Sequence, residues 1–410
     1  MAMDWKIDYN PDLVLEKLNK FRSFNEKGNV IFKNIMTAEH SSVILSGFNF
    51  NPEIPVSIRK RLVNKALASK KLKSLTKNGL KNEIRNFERT YLNQSFQKYA
   101  LVCEVSLVGN FKSIIRRIDD CYVKFTQVLP NNLKRDDFLK LNKDYALWEL
   151  PGGFSFATIS LKARSEHEAA EKGLDVIDYL RGIWNLKINC GKSFRISSGN
   201  KPLPVNSIVL GPLHSVHDPE KRTVYDTFWV NDSYSYLSSN KNIFKDLNGF
   251  EKWEKKIKNA LKSEWSGMFL KTALIRYSRA LDNSDWDKAF LKMWTLLEYL
   301  TLTRPNENLK TTVKRVSSLL DDQELHIQTL NHLRNQRNLA VHASEELREL
   351  ESLLFQLKRY VEFLIRFYVV NFSKFKNEDD LRYFLDLPGE KKELKSRISL
   401  TQTKLQYFLK

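Results

Sequence analysis

The last third of the chain contains consecutive helical patterns of apolar residues, and these restrict the fold more than any other feature. Residues 285–301 are apolar almost all round, with large side chains at Phe290, Leu291, Met293, Trp294, Leu296, Leu297 and Leu300. A helix without a polar face belongs in the middle of a bundle. Helical spacing also predicts helices at 268–281 and 306–320, a fourth from Asp322 and a fifth from Ser344. We therefore expect an all-α bundle here.

Local signals mark where the parts of the chain begin and end. Ser344 is an N-cap residue followed by Glu345 and Glu346, whose negative charge is favourable in the first turn of a helix. Pro388 and Gly389 interrupt the helical pattern and separate a last amphipathic segment. The expected divisions are residues 1–240, a helical connector at 241–265, the bundle at 266–375 and a C-terminal helical extension at 376–410.

The first 240 residues have the pattern of an α/β region. Apolar runs predict strands at 29–35, 41–50, 99–107, 122–127, 154–161, 205–210 and 224–230. A short helix is predicted at 11–24. A longer helix begins at Ser165, which is spaced from Glu168 as in a capping box. The expected fold class is α+β, an N-terminal α/β region followed by the all-α bundle.

The charge of the chain favours contact with nucleic acid. The formal net charge is +19, and a strongly basic surface attracts polyanions through counterion release. Residues 59–90 supply about half of this excess, within a helical pattern that breaks near Gly79. The residues expected to contact RNA in this segment are Lys70, Lys71, Lys73 and Lys77. The alternative is a solvated helical face, which would carry the same charges.

Several classes of site are disfavoured by the sequence. The three cysteines are far apart, without the paired spacing of a zinc site. His214 and His217 are spaced like metal ligands, but no third and fourth ligands of suitable spacing accompany them. No phosphate-binding glycine loop is present. We therefore expect neither a metal nor another cofactor. Because no signal peptide or membrane-spanning run is found, we expect a cytoplasmic protein without membrane contact.

The segment between the fourth and fifth predicted helices combines side chains suited to phosphate chemistry. It reads Arg334-Asn335-Gln336-Arg337-Asn338-Leu339-Ala340-Val341-His342. Arg337 can hold a phosphate with two donors and stabilise developing charge. His342 can give or take a proton near neutral pH. Asn338 can orient the imidazole or bind a phosphate oxygen, and Arg334 is an expected RNA contact.

Two conditions decide whether this segment is a site. A separation of five residues on one continuous helix places two side chains about 140° apart. Arg337 and His342 therefore converge only if the helix ends between them or if the arginine reaches round. The Ser344 cap would place His342 beside a helix N-terminus, which attracts phosphate. The alternative is that Arg337 and His342 only tie helices together.

Glu298 is the supporting candidate of this site. It lies on the almost wholly apolar helix at 285–301, where a buried carboxylate is costly unless it is paired. Arg337 is the expected partner. Glu298 would then position Arg337 rather than transfer a proton.

The segment from Arg337 to His342 resembles the R-N-x-x-x-H motif of the HEPN superfamily. The apolar helix with its embedded Glu298, the following helix pair, the motif and the long last helix are similar to the Apea-like branch. That branch is associated with bacterial anti-phage and abortive-infection proteins. The resemblance covers about residues 266–375 and leaves residues 1–240 unidentified.

The resemblance implies a metal-independent endoribonuclease of antiviral defence that cleaves RNA through its 2′-hydroxyl. RNA is the expected substrate, with tRNA as one candidate, and a phage-derived trigger is a candidate partner. The family further implies a homodimer, since one motif histidine per chain would then supply both an acid and a base. The alternative is a HEPN module that binds RNA or a nucleotide signal, or serves as an adaptor, without cleaving.

Overall fold

The chain folds around two separate hydrophobic cores. A computed structural model describes residues 3–33, 37–107, 113–133, 135, 154–192, 204–220, 223–231, 233–234, 246–261, 263–342 and 350–408, without the side chains of residues 37, 38, 226, 341 and 342. The expected N-cap at Ser344, with Glu345 and Glu346, lies outside these residues.

The first core belongs to a mainly helical unit at residues 3–92. Its elements are β1 (Asp4–Trp5), α1 (Asp12–Phe21), β2 (Arg22–Phe24), β3 (Val30–Phe32), α2 (Thr37–Ser46), β4 (Phe48–Asn49), α3 (Val56–Leu67) and α4 (Lys77–Leu92). β1 pairs with β4 and β2 with β3, both antiparallel. Apolar residues at helical spacing, such as Leu62 and Ala66 in α3, turn to the inside and form the core.

The second core begins with a six-stranded antiparallel sheet. Its strands are β5 (Gln97–Val105), β6 (Ile114–Ile118), β7 (Cys121–Thr126), β8 (Ser155–Ala163), β9 (Leu210–Asp218) and β10 (Thr223–Val230), in the order β10-β9-β5-β8-β7-β6. The helix α5 (Glu166–Asn189) packs against this sheet. The Ser165 hydroxyl accepts a hydrogen bond from the Glu168 amide at 3.2 Å, as expected of an N-cap. Glu168 itself accepts from the Arg164 amide at 2.8 Å, so the return bond of a capping box is displaced by one residue.

The helical bundle continues the same core. Its helices are α6 (Leu247–Ala260), α7 (Glu264–Leu281), α8 (Trp286–Leu300), α9 (Leu309–Ser317), α10 (Gln323–His342), α11 (Leu350–Asn371), α12 (Glu378–Leu385) and α13 (Lys391–Phe408). α8 packs between α7 and α11, which confirms its expected central place. No helix in the described residues, including apolar α8, combines the length and hydropathy needed to cross a membrane.

The sheet and the bundle are locked together where α5 crosses α7. A Cβ atom on Gly182 would lie 2.4 Å from the Leu274 carbonyl oxygen, so the two backbones approach as closely as glycine allows. Beside this contact, buried Arg181 donates to Asp178 and to both carboxylate oxygens of Asp282, at 3.1 and 2.9 Å. The fold class α+β is confirmed, and the two cores divide the chain near residue 92 rather than near residue 240.

The joint between the two cores is polar. The Glu171 carboxylate on α5 accepts hydrogen bonds from the backbone amides of Val56 and Ser57, both at 3.1 Å, and from the Ser57 hydroxyl at 2.6 Å. These amides belong to the first turn of α3, where a negative charge is favourable. Tyr91 adds a hydrogen bond to Glu168 at 2.7 Å. Residues 3–92 are therefore attached mainly through hydrogen bonds rather than through a shared apolar layer.

Three expected elements differ from the structure. The strand expected at 41–50 is mostly the helix α2, in which buried Ser41 and Ile44 are three residues apart, and only Phe48 and Asn49 form a strand. The break expected near Gly79 lies instead at residues 68–76, and Gly79 is in the first turn of α4, whose N-cap is Thr76. β6 was not expected, since its residues 114–118 include two arginines.

The strand expected at 205–210 is a further error, of another kind. This segment is buried, but the backbone groups of Ser207 and Ile208 bond to a side chain of α5 instead of to a strand. Asn185 donates to the Ile208 carbonyl at 2.8 Å and accepts from the amides of Ser207 and Ile208 at 3.2 and 3.0 Å. The ladder begins only at Leu210, so the strand β9 contains His214 and His217.

Candidate functional site

The expected motif occupies the C-terminal part of α10. Leu330 and Leu333 are fully buried in the bundle. Continuing the same face of the helix, the next positions are polar: Arg334, Arg337 and Asn338, all half-buried. The part of α10 that faces the bundle therefore carries two cations and an amide over its last turns, beside Ala340, which still packs against the core.

The two arginines of this polar end lack carboxylate partners. Arg337 donates to the Asn338 side-chain oxygen at 3.3 Å, and Arg334 donates to Asn335 at 3.5 Å. Neither forms an ion pair with any residue that the structure describes. Each guanidinium has five N–H donors, so most of them remain available to an external anion. A phosphate diester is the anion that such paired donors recognise best.

The first condition for convergence, a helix end between Arg337 and His342, is not met. The helix is continuous from Gln323 to His342, its last residue. Arg337 and His342 are therefore about 140° apart around the axis. Asn338 lies one turn before His342, about 40° from it, and is the closer neighbour on that face. The position of the His342 side chain is outside the described structure.

The expected ion pair between Glu298 and Arg337 is absent from the described structure. Glu298 accepts a hydrogen bond from the Trp294 indole N–H at 2.9 Å, one turn earlier on α8. The glutamate is only half-buried, so water and the indole stabilise its charge without an arginine. Glu298 thus supports the packing of α8, and Arg337 is left free of a buried counter-charge.

The expected RNA contacts Lys70, Lys71, Lys73 and Lys77 lie on one exposed segment between α3 and α4. None of the four forms an ion pair among the described residues. Other basic residues nearby are engaged: Lys81 pairs with Asp4 at 3.1 Å, and Arg61 bonds to His167 at 2.8 Å. In the basic segment 59–90, the structure therefore distinguishes cations that bond to other side chains from lysines without an ion pair in the described residues.

The backbone of this segment, which we call the lysine loop (residues 68–77), is fixed by hydrogen bonds from two side chains near the start of the chain. The half-buried Arg22 guanidinium donates to three backbone carbonyls of the loop region, those of Leu67, Ser69 and Lys73, at 3.1, 2.6 and 3.2 Å. Asn19 exchanges two hydrogen bonds with the Leu75 backbone, at 2.7 and 2.9 Å. A loop fixed in this way presents its lysines with little further loss of backbone entropy on binding. Sequence reasoning missed Arg22 and Asn19 because they lie about 50 residues away in the chain.

The histidine pair His214 and His217 does not form a metal centre. Both are buried in β9, and an odd separation on a strand points side chains to opposite faces. No group of three or more potential metal ligands occurs among the described residues. Burial and the nearby Arg135 lower the pKa of His214 to about 3 and that of His217 to about 4. Both imidazoles are therefore neutral at pH 7.

A cleft that the sequence did not predict lies where the β6–β7 turn meets the start of α7. It has a volume of 860 Å³ and includes Arg117, Lys258, Lys271 and Tyr179. Lys271 is paired with Asp119, whereas Lys258 has no ion pair in the described structure. Tyr179 is 2% exposed, and burial raises its pKa well above the usual range. These residues come from four separate elements, so no sequence spacing could have brought them together.

Comparisons with known proteins leave the family undetermined. No protein-family model matches the chain, and neither the curated proteins nor the solved structures contain a match. The assignment of function therefore depends on the residues themselves.

Proposed function

We propose that the protein is a metal-independent endoribonuclease of the HEPN type, acting in bacterial defence against phage. The observation that carries this proposal is the polar end of α10, where Arg334, Arg337 and Asn338 lie half-buried, four to eight residues before His342. Two guanidinium groups without carboxylate partners attract phosphate and disfavour a metal cation at the same place. The lysine loop adds a second, separate surface for the RNA backbone.

The proposed chemistry uses the substrate's own nucleophile. The RNA 2′-oxygen attacks the adjacent phosphorus and the bond from phosphorus to the 5′-oxygen breaks. A base takes the proton of the 2′-hydroxyl, and an acid gives a proton to the departing 5′-oxygen. Arg337 stabilises the charge on the phosphate oxygens, and His342 moves a proton. Since one chain supplies one motif histidine, two chains facing each other would supply both proton-transfer groups.

Cleavage is expected to proceed in EDTA and to leave a 2′,3′-cyclic phosphate, or its opened 3′-phosphate, and a 5′-hydroxyl. A short labelled RNA is incubated with pure protein, beside a copy with 2′-methoxy groups and a DNA copy, and the ends are assigned by mass spectrometry. The methoxy and DNA strands lack the nucleophile and should stay intact. Loss of activity in EDTA, cut DNA or 5′-phosphate ends would each contradict the proposed chemistry.

A second candidate function is RNA or nucleotide binding without cleavage, as in a sensor or adaptor. Two observations favour it. Arg337 and His342 lie on opposite parts of one continuous helix, and Glu298 does not position Arg337. Incubation with total RNA distinguishes the functions, because a binding module retains RNA in intact form.

Charge reversal in the lysine loop, by Lys70→Glu with Lys71→Glu and Lys73→Glu, is expected to weaken RNA binding. Three lost phosphate contacts reduce the slope of log affinity against log salt by about 2, which corresponds to about 100-fold at 0.1 M salt. Binding is measured by fluorescence anisotropy at salt concentrations from about 0.05 to 0.3 M. Over roughly this range log affinity falls linearly with log salt. The fold is expected to remain intact because these side chains are exposed.

The matched control for this experiment changes net charge equally at another place. Lys252, Lys255 and Lys256 are exposed on α6, and their triple change to glutamate should leave the salt dependence much nearer to wild type. Equal losses in both triple variants would show that only overall charge matters, and the lysine loop would then be a solvated surface.

A further inference from the structure

The last helix of the described chain, α13, has no extensive packing against another described element. None of its 18 residues is buried, although it contains several large apolar side chains. Ile398 and Leu405 are each 57% exposed and Phe408 is 71% exposed. An isolated helix of this length is marginal in water, so the helical state of α13 needs a partner that covers its apolar side.

The apolar side of α13 has the spacing of a coiled-coil seam. Leu394, Ile398, Thr401, Leu405 and Phe408 follow one another at four, three, four and three residues. These positions fall within an arc of about 80° around the helix. In heptad terms Ile398 and Leu405 are at a, and the other three are at d. We call these five residues the α13 seam.

We propose that the α13 seam pairs with the same seam of a second copy of this chain, forming a parallel two-stranded coiled coil. A β-branched residue at a and leucine at d, as in Ile398 and Leu394, is the combination that favours two parallel strands. A self-complementary seam needs no other partner, because each a and d residue meets its own equivalent across the two-fold axis.

The charges at g and e favour the parallel alignment, whereas Lys391, at a, would meet its own equivalent there at some cost in stability. In parallel register Glu390 at g faces Lys395 at e of the second copy, and Arg397 at g faces the neutral Gln402 at e. In antiparallel register Arg397 would face Lys404, both at g and both cationic. Within one helix, Arg397 is already supported by Glu393, at 3.4 Å.

A membrane surface is the competing occupant of a basic amphipathic helix, and the pattern of α13 fits it less well. A helix that lies in a lipid surface has one broad apolar face. In α13, Leu400 and Tyr407 lie about 120° to 140° from the centre of the seam, so the apolar residues are divided between two narrow stripes. The seam alone has the width of a single helix–helix contact.

This association does not depend on ribonuclease activity and uses a surface other than the polar end of α10. Because only five a and d positions of α13 are uncharged and the sixth is Lys391, we expect a micromolar rather than a nanomolar dimer. Sedimentation velocity of the full chain over a range of concentrations is expected to show a monomer that converts to a dimer.

The first test compares two leucines of the same helix. Leu405→Asp places a charge within the seam and should shift the dimer midpoint at least tenfold to higher concentration. Leu400→Asp makes the same chemical change at an exposed position outside the seam and should leave the midpoint within twofold of wild type. Both residues are exposed, so neither substitution should disturb the fold of the rest of the chain.

The second test fixes the alignment. Lys391 is the first residue of α13 and occupies an a position. In a Cys190→Ser background, which removes the exposed native thiol, Lys391→Cys should form an intermolecular disulfide on mild oxidation with diamide. In antiparallel helices the two thiols would be about 25 Å apart and could not join. Lys392→Cys, outside the seam, is the control and should cross-link much less.

Three results would overturn the proposal. One is a monomer at all concentrations. Another is a dimer that survives Leu405→Asp and gives no Lys391→Cys disulfide, which would indicate an interface elsewhere, such as the polar end of α10. The third is flotation with vesicles of anionic lipid that Leu405→Asp abolishes, from a protein that is monomeric without vesicles.

Discussion

His342→Ala is expected to reduce RNA cleavage by about 10²- to 10⁴-fold, the range that a general acid or base contributes. Arg337→Ala is expected to reduce it by about 10²- to 10³-fold, because the charge developing on the phosphate loses its main donor. Arg337 is half-buried and has no ion pair in the described structure, so its removal leaves no buried charge unpaired. Initial rates on a labelled RNA, together with thermal melting, measure both effects.

Matched controls are present in the same bundle. His332 is exposed on α10, ten residues before His342, and Arg359 is exposed on α11. Their alanine variants should cleave at the wild-type rate. Arg337→Lys keeps the charge but loses the paired donors, and should stay well below wild type. Folded His342→Ala protein with full activity would remove the catalytic assignment and leave RNA binding as the function.

The free energy of unfolding of the core that contains the sheet is expected to decrease by about 4 kcal/mol between pH 7 and pH 5, through His214 and His217. Their pKa values in the folded protein are about 3 and about 4, below the usual 6.5, because both imidazoles are buried near Arg135. The unfolded chain therefore takes up protons at pH 5 that the folded chain does not. Stability is fully present above pH 6.5 and is lost as the pH falls, by about 2 kcal/mol for each histidine at pH 5.

The measurement is urea unfolding at several pH values, for wild type and His217→Gln. The variant has a different overall stability. Between pH 7 and pH 5, however, its free energy of unfolding should decrease by about 2 kcal/mol less than that of wild type. Burial raises the pKa of neighbouring Glu104, which acts in the opposite direction. That effect is common to both proteins and cancels in the comparison. Parallel curves for the two proteins would show that His217 is already solvated.

The bundle could be predicted from sequence because its signals are local. The central place of α8 follows from its all-round apolar pattern. Outside the bundle, the N-cap predicted at Ser165 does bond to the third residue beyond it. The strand predicted at 205–210 begins only at Leu210, since Asn185 takes over the hydrogen bonds that a neighbouring strand would supply to Ser207 and Ile208. That replacement depends on a tertiary contact with α5, and the hydrophobic pattern of the sequence does not reveal it.

The candidate site shows the same division. The residue types of the Arg337 to His342 segment are read directly from the sequence. Its place within α10 was not predicted, because the segment was expected to lie between two helices. The pairing of Glu298 was not predictable, because a carboxylate on an apolar helix has several ways to be satisfied, and Trp294 on the same helix is nearer than an arginine on another. The anchoring of the lysine loop by Arg22 was equally hidden.

The polar joint between residues 3–92 and α5 has an evolutionary consequence. Glu171 holds α3 by its free backbone N–H groups, which every helix presents at its N-terminus whatever its sequence. Another unit that begins a helix at the same place would keep the two amide bonds to Glu171, whereas the bonds from Ser57 and Tyr91 would have to be replaced. The two parts can then diverge at different rates, and one bundle can be inherited with different N-terminal units.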